Sequence, residues 1–375
     1  MRRAPRGRER LSYLARARGL LQAIEAAGEL RSIVEQPERL AVDFSTNDYL
    51  ALAREPQVVA ALQRGSRVGS GGARLLGGAH REHWLLEQDL AAYLKRERAL
   101  LFSSGYLAAI GAITALAATA RAAYSDERNH ASLIDGLRAT KLERQVYEHR
   151  RLPPKAARSS PALIVTESLF SMDGDRADLE AMLADLHDDD VLVVDEAHAI
   201  GVAGPGGAGL AMDLRDERVV VIGTLSKALG AQGGFVAAPA SIIELLINTA
   251  RTFIFDTALP PAIALAARIA LYLARGAEDR RARIAQATRT LRSGLRGCGF
   301  DVPECEGPIV PVIVGNAQEA LLLSEQLREK SINAPAIRPP TVPAGSSRLR
   351  LSVRSDHTDD QIQRFLEALA CTAIS

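Results

Sequence analysis

Through the middle of the chain, short apolar and β-branched runs alternate with segments whose apolar positions recur at helical spacing. The runs Ala99–Phe102, Ala162–Thr166, Val191–Asp195, Val219–Gly223 and Phe235–Ala238 predict strands, and Tyr106–Ala117 and Asp178–Leu186 predict helices between them. These strands are apolar at nearly every position rather than at alternate ones. Such strands are buried on both faces, so the pattern predicts an α/β domain with a mostly parallel sheet covered by helices on each side.

A long helical stretch over Pro260–Gly297 precedes a change of pattern. Ile309–Val314 and Arg348–Val353 read as strands, and Ala317–Lys330 and Thr358–Ala370 as helices, which describes a smaller α+β lobe. Between them, Pro339-Pro340-Thr341-Val342-Pro343 cannot pair in a central strand and reads as a rigid loop. The expected division is an N-terminal arm and helix over 1–45, a large α/β domain over 46–255, and a linking helix with a small C-terminal domain over 256–375. No internal repeat or low-complexity linker interrupts it.

Ala99–Ala120 carries no charge for 22 residues, long enough to cross a bilayer. It holds Ser103-Ser104-Gly105 where a strand would end, and much of the rest is alanine, so a buried strand, a turn and a core helix are expected instead. The 375 residues are 47% hydrophobic and 24% charged, enough apolar material for a large core. A net charge of +1 gives no bulk field toward nucleic acid or a membrane, and 4% aromatics provide no stacking platform for single strands. Cys298, Cys305 and Cys371 are odd in number and lack metal-ligand spacing, which points to a reducing, cytoplasmic setting without disulfides or a metal site. Seven arginines crowd residues 1–20 against Glu9 alone, yet no apolar signal segment follows them. A solvated arm leading into a helix is expected there.

Against this frame, four segments carry chemistry. VLVVDEAH (191–198) ends a buried strand in Asp195, with His198 three residues later. Ligands of open α/β sheets sit beyond the carboxyl ends of strands, so both side chains are placed to meet one. A DEAH nucleotide-hydrolysis box needs a phosphate loop, and the chain has no Gly-Lys pair anywhere. Two readings of Asp195 remain: a carboxylate paired with a pyridinium nitrogen, or a strand-end acid that caps the next turn. GTLSKALG (223–230) places Lys227 just past the strand VVVI, where a Schiff base would form if the amine were desolvated. SSGYLAAIGAITAL (103–116) is a strand end, a glycine turn and a helix start, an arrangement suited to phosphate, to which Thr224 could add a hydroxyl. His130, in RNHASL after the strand-like AAYSDE, opens a helix and could either cap it or stack on an aromatic ring. His80 and His83 lack a third metal ligand and read as structural. GPGGAG (204–209) matches a dinucleotide fingerprint but follows a loop and contains Pro205, so no such site is expected.

In order along the chain, NDYLAL (47–52), GSGGARLLGG (69–78), LFSSGY (101–106), NHASL (129–133), TESLFSMDGD (166–175), VDEAHAIGV (194–202), GTLSKALG (223–230) and AIRPPTVPAGSSRLRLS (336–352) closely resemble the α-oxoamine synthases. These are pyridoxal-phosphate (PLP) transferases of fold type I. The resemblance, running from about residue 40 to the C-terminus, implies a seven-stranded, mostly parallel sheet between helices and a smaller α+β C-terminal domain. It implies that Lys227 carries PLP and, once displaced by the amino acid, takes its α-proton. Asp195 would face the pyridine nitrogen, His198 and Ser171 the phenolic oxygen, and His130 the ring face. Gly105, Tyr106 and Thr224 would hold the phosphate, with Thr257 reaching the phosphate of a partner subunit in a homodimer. Arg350 would pair with the substrate carboxylate and Thr341 would touch substrate.

AIRPPTVPAG followed by RLRLS resembles the branch that condenses L-alanine with a pimeloyl thioester, on CoA or acyl-carrier protein, with loss of CO2. The alternatives are the glycine C-acetyltransferase and 5-aminolevulinate synthase branches, or a non-catalytic subunit, which would typically lack Lys227. One departure stands out. The arginine that this branch often carries in its N-terminal helix aligns with Leu21, and Arg18 and Arg31 are the nearest basic residues.

Overall fold

The computed structural model describes residues 12–31, 33, 35, 40–304 and 307–372. The strands are β1 (Val42–Asp43), β2 (Arg98–Phe102), β3 (Ala122–Asp126), β4 (Glu143–Tyr147), β5 (Ala162–Glu167), β6 (Val191–Asp195), β7 (Val219–Thr224), β8 (Gly234–Ala238), β9 (Ile309–Gly315), β10 (Ile332–Asn333), β11 (Ala336–Ile337) and β12 (Ser347–Ser352). Helices α1 (Tyr13–Ala26), α2 (Pro56–Arg64), α3 (Arg81–Tyr93), α4 (Gly105–Leu116), α5 (Ala131–Arg138), α6 (Leu179–Ala184), α7 (Ala240–Thr249) and α8 (Arg251–Ile254) precede the C-terminal lobe. Helices α9 (Pro261–Arg275), α10 (Glu278–Gly297), α11 (Ala317–Glu329) and α12 (Asp359–Thr372) complete the chain.

Seven strands form the central sheet in the order β2-β8-β7-β6-β5-β3-β4, with β8 antiparallel to both neighbours and the rest parallel. Each inner strand is buried at nearly every position because successive side chains enter different cores. Leu163 and Val193 pack with α4, α5 and α7 on one face, while Ile164 and Val194 pack with α3 and α9 on the other. The parallel sheet expected from the sequence is therefore present, with its five expected strands in place. β4 escaped the pattern because it is a polar edge strand, with Glu143–Val146 exposed and Tyr147 alone buried.

The stretch 260–297 requires a correction: it is two helices, α9 and α10, separated at Gly276 and Ala277 rather than one linking helix. In the C-terminal lobe, β11, β12 and β9 form an antiparallel sheet with α10, α11 and α12 packed against it. β1 pairs in parallel with β10, so Val42 and Phe44 join the core of this lobe although they lie far back in sequence. Helix α1 buries none of its residues. The arginine-rich stretch before it and Cys305 lie outside the described residues, and Cys298 and Cys371 are unpaired. Among the described residues, no helix is long and apolar enough to cross a membrane.

The alanine-rich run after β2 is core helix α4, and its small residues permit close packing. A Cβ on Gly111 would lie 2.4 Å from Thr252 Oγ1 and 2.9 Å from the Phe102 ring. At the helix start, a Cβ on Gly234 would fall 2.4 Å from Gly105 N, so β8 passes directly beneath the first turn of α4.

Loop 168–176 leaves the end of β5 and is pinned by His149. Its Nδ1 lies 2.9 Å from Asp126 Oδ1 and its Nε2 2.7 Å from Asp175 Oδ2, with the ring edge-on to Phe170 at 4.4 Å. Burial lowers the imidazole, but the hydrogen bonds and charges of Asp126 and Asp175 outweigh it and raise it to about 9. Because the folded value exceeds the ordinary 6.5, the stabilisation is complete below about pH 6.5 and is lost as pH rises through about 9. Asp175 is lowered despite its burial, by His149 and Arg150, so its share is present above pH 3.8 and fades as pH falls through the depressed value. His149→Asn is therefore expected to flatten the decline of Tm between pH 7 and 10, measured by calorimetry. An unchanged slope would remove His149 from that role.

Candidate active site

Five chain segments converge at the carboxyl ends of the parallel strands around one cavity of about 250 Å³. Ser104, Gly105 and Tyr106 come from the end of β2, and His130 and Ser132 from the connection after β3. Glu167 ends β5, Asp195 ends β6, and Thr224, Ser226 and Lys227 follow β7. Gly105, Tyr106, His130, Asp195, His198, Thr224 and Lys227, all singled out from the sequence, thus face a single space.

One end of this space is suited to an anion. Ser104 caps α4, its hydroxyl accepting from Leu107 N at 3.2 Å, and the N–H groups of Gly105 and Tyr106 have no acceptor within the helix. Thr224 stands against this turn, its Cβ 3.1 Å and its Oγ1 3.2 Å from where a Cβ on Gly105 would sit, with Oγ1 2.8 Å from Ser226 Oγ. His130 is both cap and wall. Its Nδ1 accepts from Ser132 N at 3.2 Å and lies 2.8 Å from Ser132 Oγ, which fixes the ring plane over the cavity.

At the other end stands a chain of polar groups. Lys227 Nζ is 2.8 Å from His198 Nε2, and His198 Nδ1 is 2.8 Å from the Tyr49 hydroxyl, which lies 3.2 Å from Asn47 Oδ1. Arg350 closes the chain, donating to Asn47 Oδ1 at 2.9 Å, to Ser352 Oγ at 2.8 Å and from Nε to Ser171 O at 2.5 Å. Burial, together with the nearby Lys227 and Arg350 cations, holds His198 well below the usual imidazole value, so it is neutral at pH 7. A consistent assignment has Lys227 donating to Nε2, Nδ1–H donating to Tyr49, and the tyrosine hydroxyl donating to Asn47.

The amine itself is moved toward reactivity. Burial lowers Lys227 to about 8, against the opposing pull of Asp195 and Glu167. Asp195 Oδ1 accepts from Ala197 N at 2.8 Å, so the carboxylate both caps its turn and lines the cavity. The two readings of this residue are compatible.

Four expected site residues lie off this cavity. Ser171 and Arg350 are buried beside it, joined to each other and, through Tyr49, to His198. Thr341 lines a larger cavity of about 420 Å³ with Arg128, Phe170, Asp173 and Arg348. Loop 168–176 contributes Phe170, Met172 and Asp173 to this larger cavity. Thr257 sits with Ser103 and Asp256 in a small crevice behind the start of α4. Sequence reasoning did not single out Glu167 or Tyr49. Both lie inside quoted motifs, but neither type at that position signals a role before the fold sets it beside Asp195 or His198.

Other motifs resolve as structure. His83 Nε2 lies 2.6 Å from Leu259 O, and His80 and His83 form a capping box on α3. Glu196, the glutamate of DEAH, accepts from Ser168 Oγ, Leu210 N and Ala211 N and so tethers the GPGGAG loop. No group of three or more metal-ligating side chains occurs among the described residues.

A helix start with free N–H groups, a buried lysine, a carboxylate and a histidine face around one space fit a phosphorylated pyridine aldehyde. The fold and this site together define a pyridoxal-phosphate-dependent transferase of fold type I, and residues 41–369 match the aminotransferase class I and II family. The chain is 42% identical to the 8-amino-7-oxononanoate synthase of Hahella chejuensis, over 90% of this chain and 88% of that one. It is also 42% identical to that of Stutzerimonas stutzeri, over 97% and 95%. Among solved structures it resembles a lysine-to-alanine variant of serine palmitoyltransferase from S. paucimobilis with a bound PLP–myriocin aldimine, at TM-score 0.87 and 28% identity over 97% of this chain and 99% of that one. A second is the 8-amino-7-oxononanoate synthase of Francisella tularensis, at TM-score 0.77 and 29% identity over 90% and 99%. The chain belongs to the 8-amino-7-oxononanoate synthases, PLP-dependent acyltransferases.

Proposed function

We propose that this chain condenses L-alanine with a pimeloyl thioester, releasing CO2 and free thiol and forming 8-amino-7-oxononanoate for biotin synthesis. The observation that carries the reading is the lysine with a lowered basicity, 2.8 Å from a neutral histidine and facing Asp195 in the cavity that begins at α4.

Lys227 would hold PLP through Nζ, with Asp195 toward the ring nitrogen, His130 over the ring face, and His198 and Ser171 near the phenolic oxygen. The N–H groups of Gly105 and Tyr106 and the hydroxyl of Thr224 would bind the phosphate. Bound there, the cofactor supplies an electron sink for the pair released when the substrate α-C–H bond breaks. Lys227 takes that proton; an amine near the operating pH suits a general base, and neutral His198 can accept hydrogen bonds from it in turn. Arg350 binds the alanine carboxylate: Nη2 has just a 3.5 Å contact to the Tyr49 hydroxyl, while the other nitrogens are fixed by Asn47, Ser352 and Ser171. Thr341, which lines the larger cavity, would touch substrate there.

Thr257, off the cavity of its own subunit, is assigned to the phosphate of a partner in a homodimer. Leu76, Trp84, Phe255 and Tyr272 are large apolar side chains left exposed, which supports a face that a second subunit would cover. Equilibrium sedimentation at twice the chain's 40.2 kDa is the expected result. The cysteine pattern supports a cytoplasmic setting.

The test is a substrate matrix: L-alanine, glycine and L-serine against pimeloyl, acetyl, succinyl and palmitoyl thioesters, on CoA and on acyl-carrier protein, followed by thiol release. L-Alanine with pimeloyl is expected to have the highest kcat/KM. Preference for glycine with a short acyl group, or for L-serine with palmitoyl, would overturn the assignment.

A further inference from the structure

Glu167 has no part in the chemistry assigned above, yet it ends β5 inside the cofactor cavity. It is in register with Asp195 on the adjacent parallel strand, so the two side chains project to the same face. It is 2% exposed, and its Oε1 has no hydrogen-bond partner in the structure. The backbone N–H groups of His130 and Ser171 face its carboxyl, and Lys227 faces the same pair of acids across the cavity. One carboxyl therefore touches the supports of three groups assigned to the ring. His198 and Arg350, the other titratable or charged groups nearby, bond to Lys227 and to Ser171 O.

Two carboxylates this close in a water-poor space do not both ionise, because each charge opposes the other and neither is well solvated. We propose that Glu167 is a positioning residue acting through Asp195: it keeps its own proton, which leaves a single negative charge at this end of the cavity, and it orients Asp195, His130 and Ser171 together. Burial and the Asp195 charge raise Glu167 to about 8, against the lowering effect of Lys227, which agrees with a proton held on the glutamate. Above that range Glu167 ionises, and the second negative charge makes the lysine-bound cofactor hold its own proton more tightly. This inference rests on the cavity being the PLP site.

The experiment uses purified holoenzyme and the variants Glu167→Gln and Glu167→Ala, without substrate. PLP affinity is measured at pH 6.5, and absorbance of the lysine-bound cofactor is titrated from pH 6 to 10. Glutamine reproduces the neutral acid, so affinity within about threefold of wild type is expected for Glu167→Gln, against at least tenfold weakening for Glu167→Ala. The titration midpoint of Glu167→Gln should fall by about half a pH unit or more, because no second charge can appear. The proposal is overturned if Glu167→Gln weakens PLP as much as Glu167→Ala at pH 6.5. It is equally overturned if wild type and Glu167→Gln titrate at the same pH. Wild-type protein that takes up no PLP would sink the cofactor-site reading itself, a separate failure from either of these.

Discussion

Lys227→Ala is expected to lower kcat by at least about 10⁴-fold and to abolish the absorbance band of lysine-bound PLP. The substitution removes both the covalent anchor and the base for the α-proton, and no other lysine lines the cavity. Its effect on the surroundings can be signed. The Lys227 cation lowers His198 and Glu167, so its loss lets both rise, while the amine that takes the substrate proton is gone. The fold should persist, since removing a buried amine held by one contact to His198 leaves a neutral imidazole still bonded to Tyr49. Single-turnover assays with L-alanine and a pimeloyl thioester, alongside circular dichroism, separate the two effects. Activity above about 1% of wild type would exclude Lys227 as the base.

Asp195→Asn should cost about 10³-fold in kcat, because one fixed charge aimed at the ring nitrogen is removed from a buried site where it is weakly screened. Asparagine keeps an oxygen that can still accept from Ala197 N, so the turn after β6 survives and the charge alone is tested. The same charge raises Lys227 and Glu167; without it Lys227 falls further below about 8 and Glu167 falls toward the ordinary carboxylate range. The readouts are kcat and the pH profile of the cofactor band. A loss smaller than tenfold would leave Asp195 as a turn cap and nothing more.

Much of this site is legible in the sequence. Asp195 and Lys227 stand out because each ends or follows an apolar run that reads as a strand covered on both faces. Gly105 and Tyr106 follow β2 at a helix start, a local arrangement that free N–H groups make attractive to anions whatever the remainder of the fold. His130 was open between helix cap and ring support, and the structure has it cap α5 while lining the cavity.

The sequence by itself determined five strands of the central sheet (β2, β5, β6, β7 and β8), the residues that follow them, and the resemblance that names their chemistry, because these depend on local periodicity and on motifs a few residues long. Tertiary structure decided the rest. The edge strand β4 has no apolar alternation, and the break between α9 and α10 at Gly276 and Ala277 has no proline to announce it. The link from Lys227 through His198 and Tyr49 to Arg350 joins residues as much as 301 positions apart. Glu167 became visible through strand order alone, which puts β5 beside β6 and one carboxyl against another. Protonation is a through-space property: it depends on which charges the fold brings together and how far it removes them from water, and neither quantity is written in the neighbours along the chain.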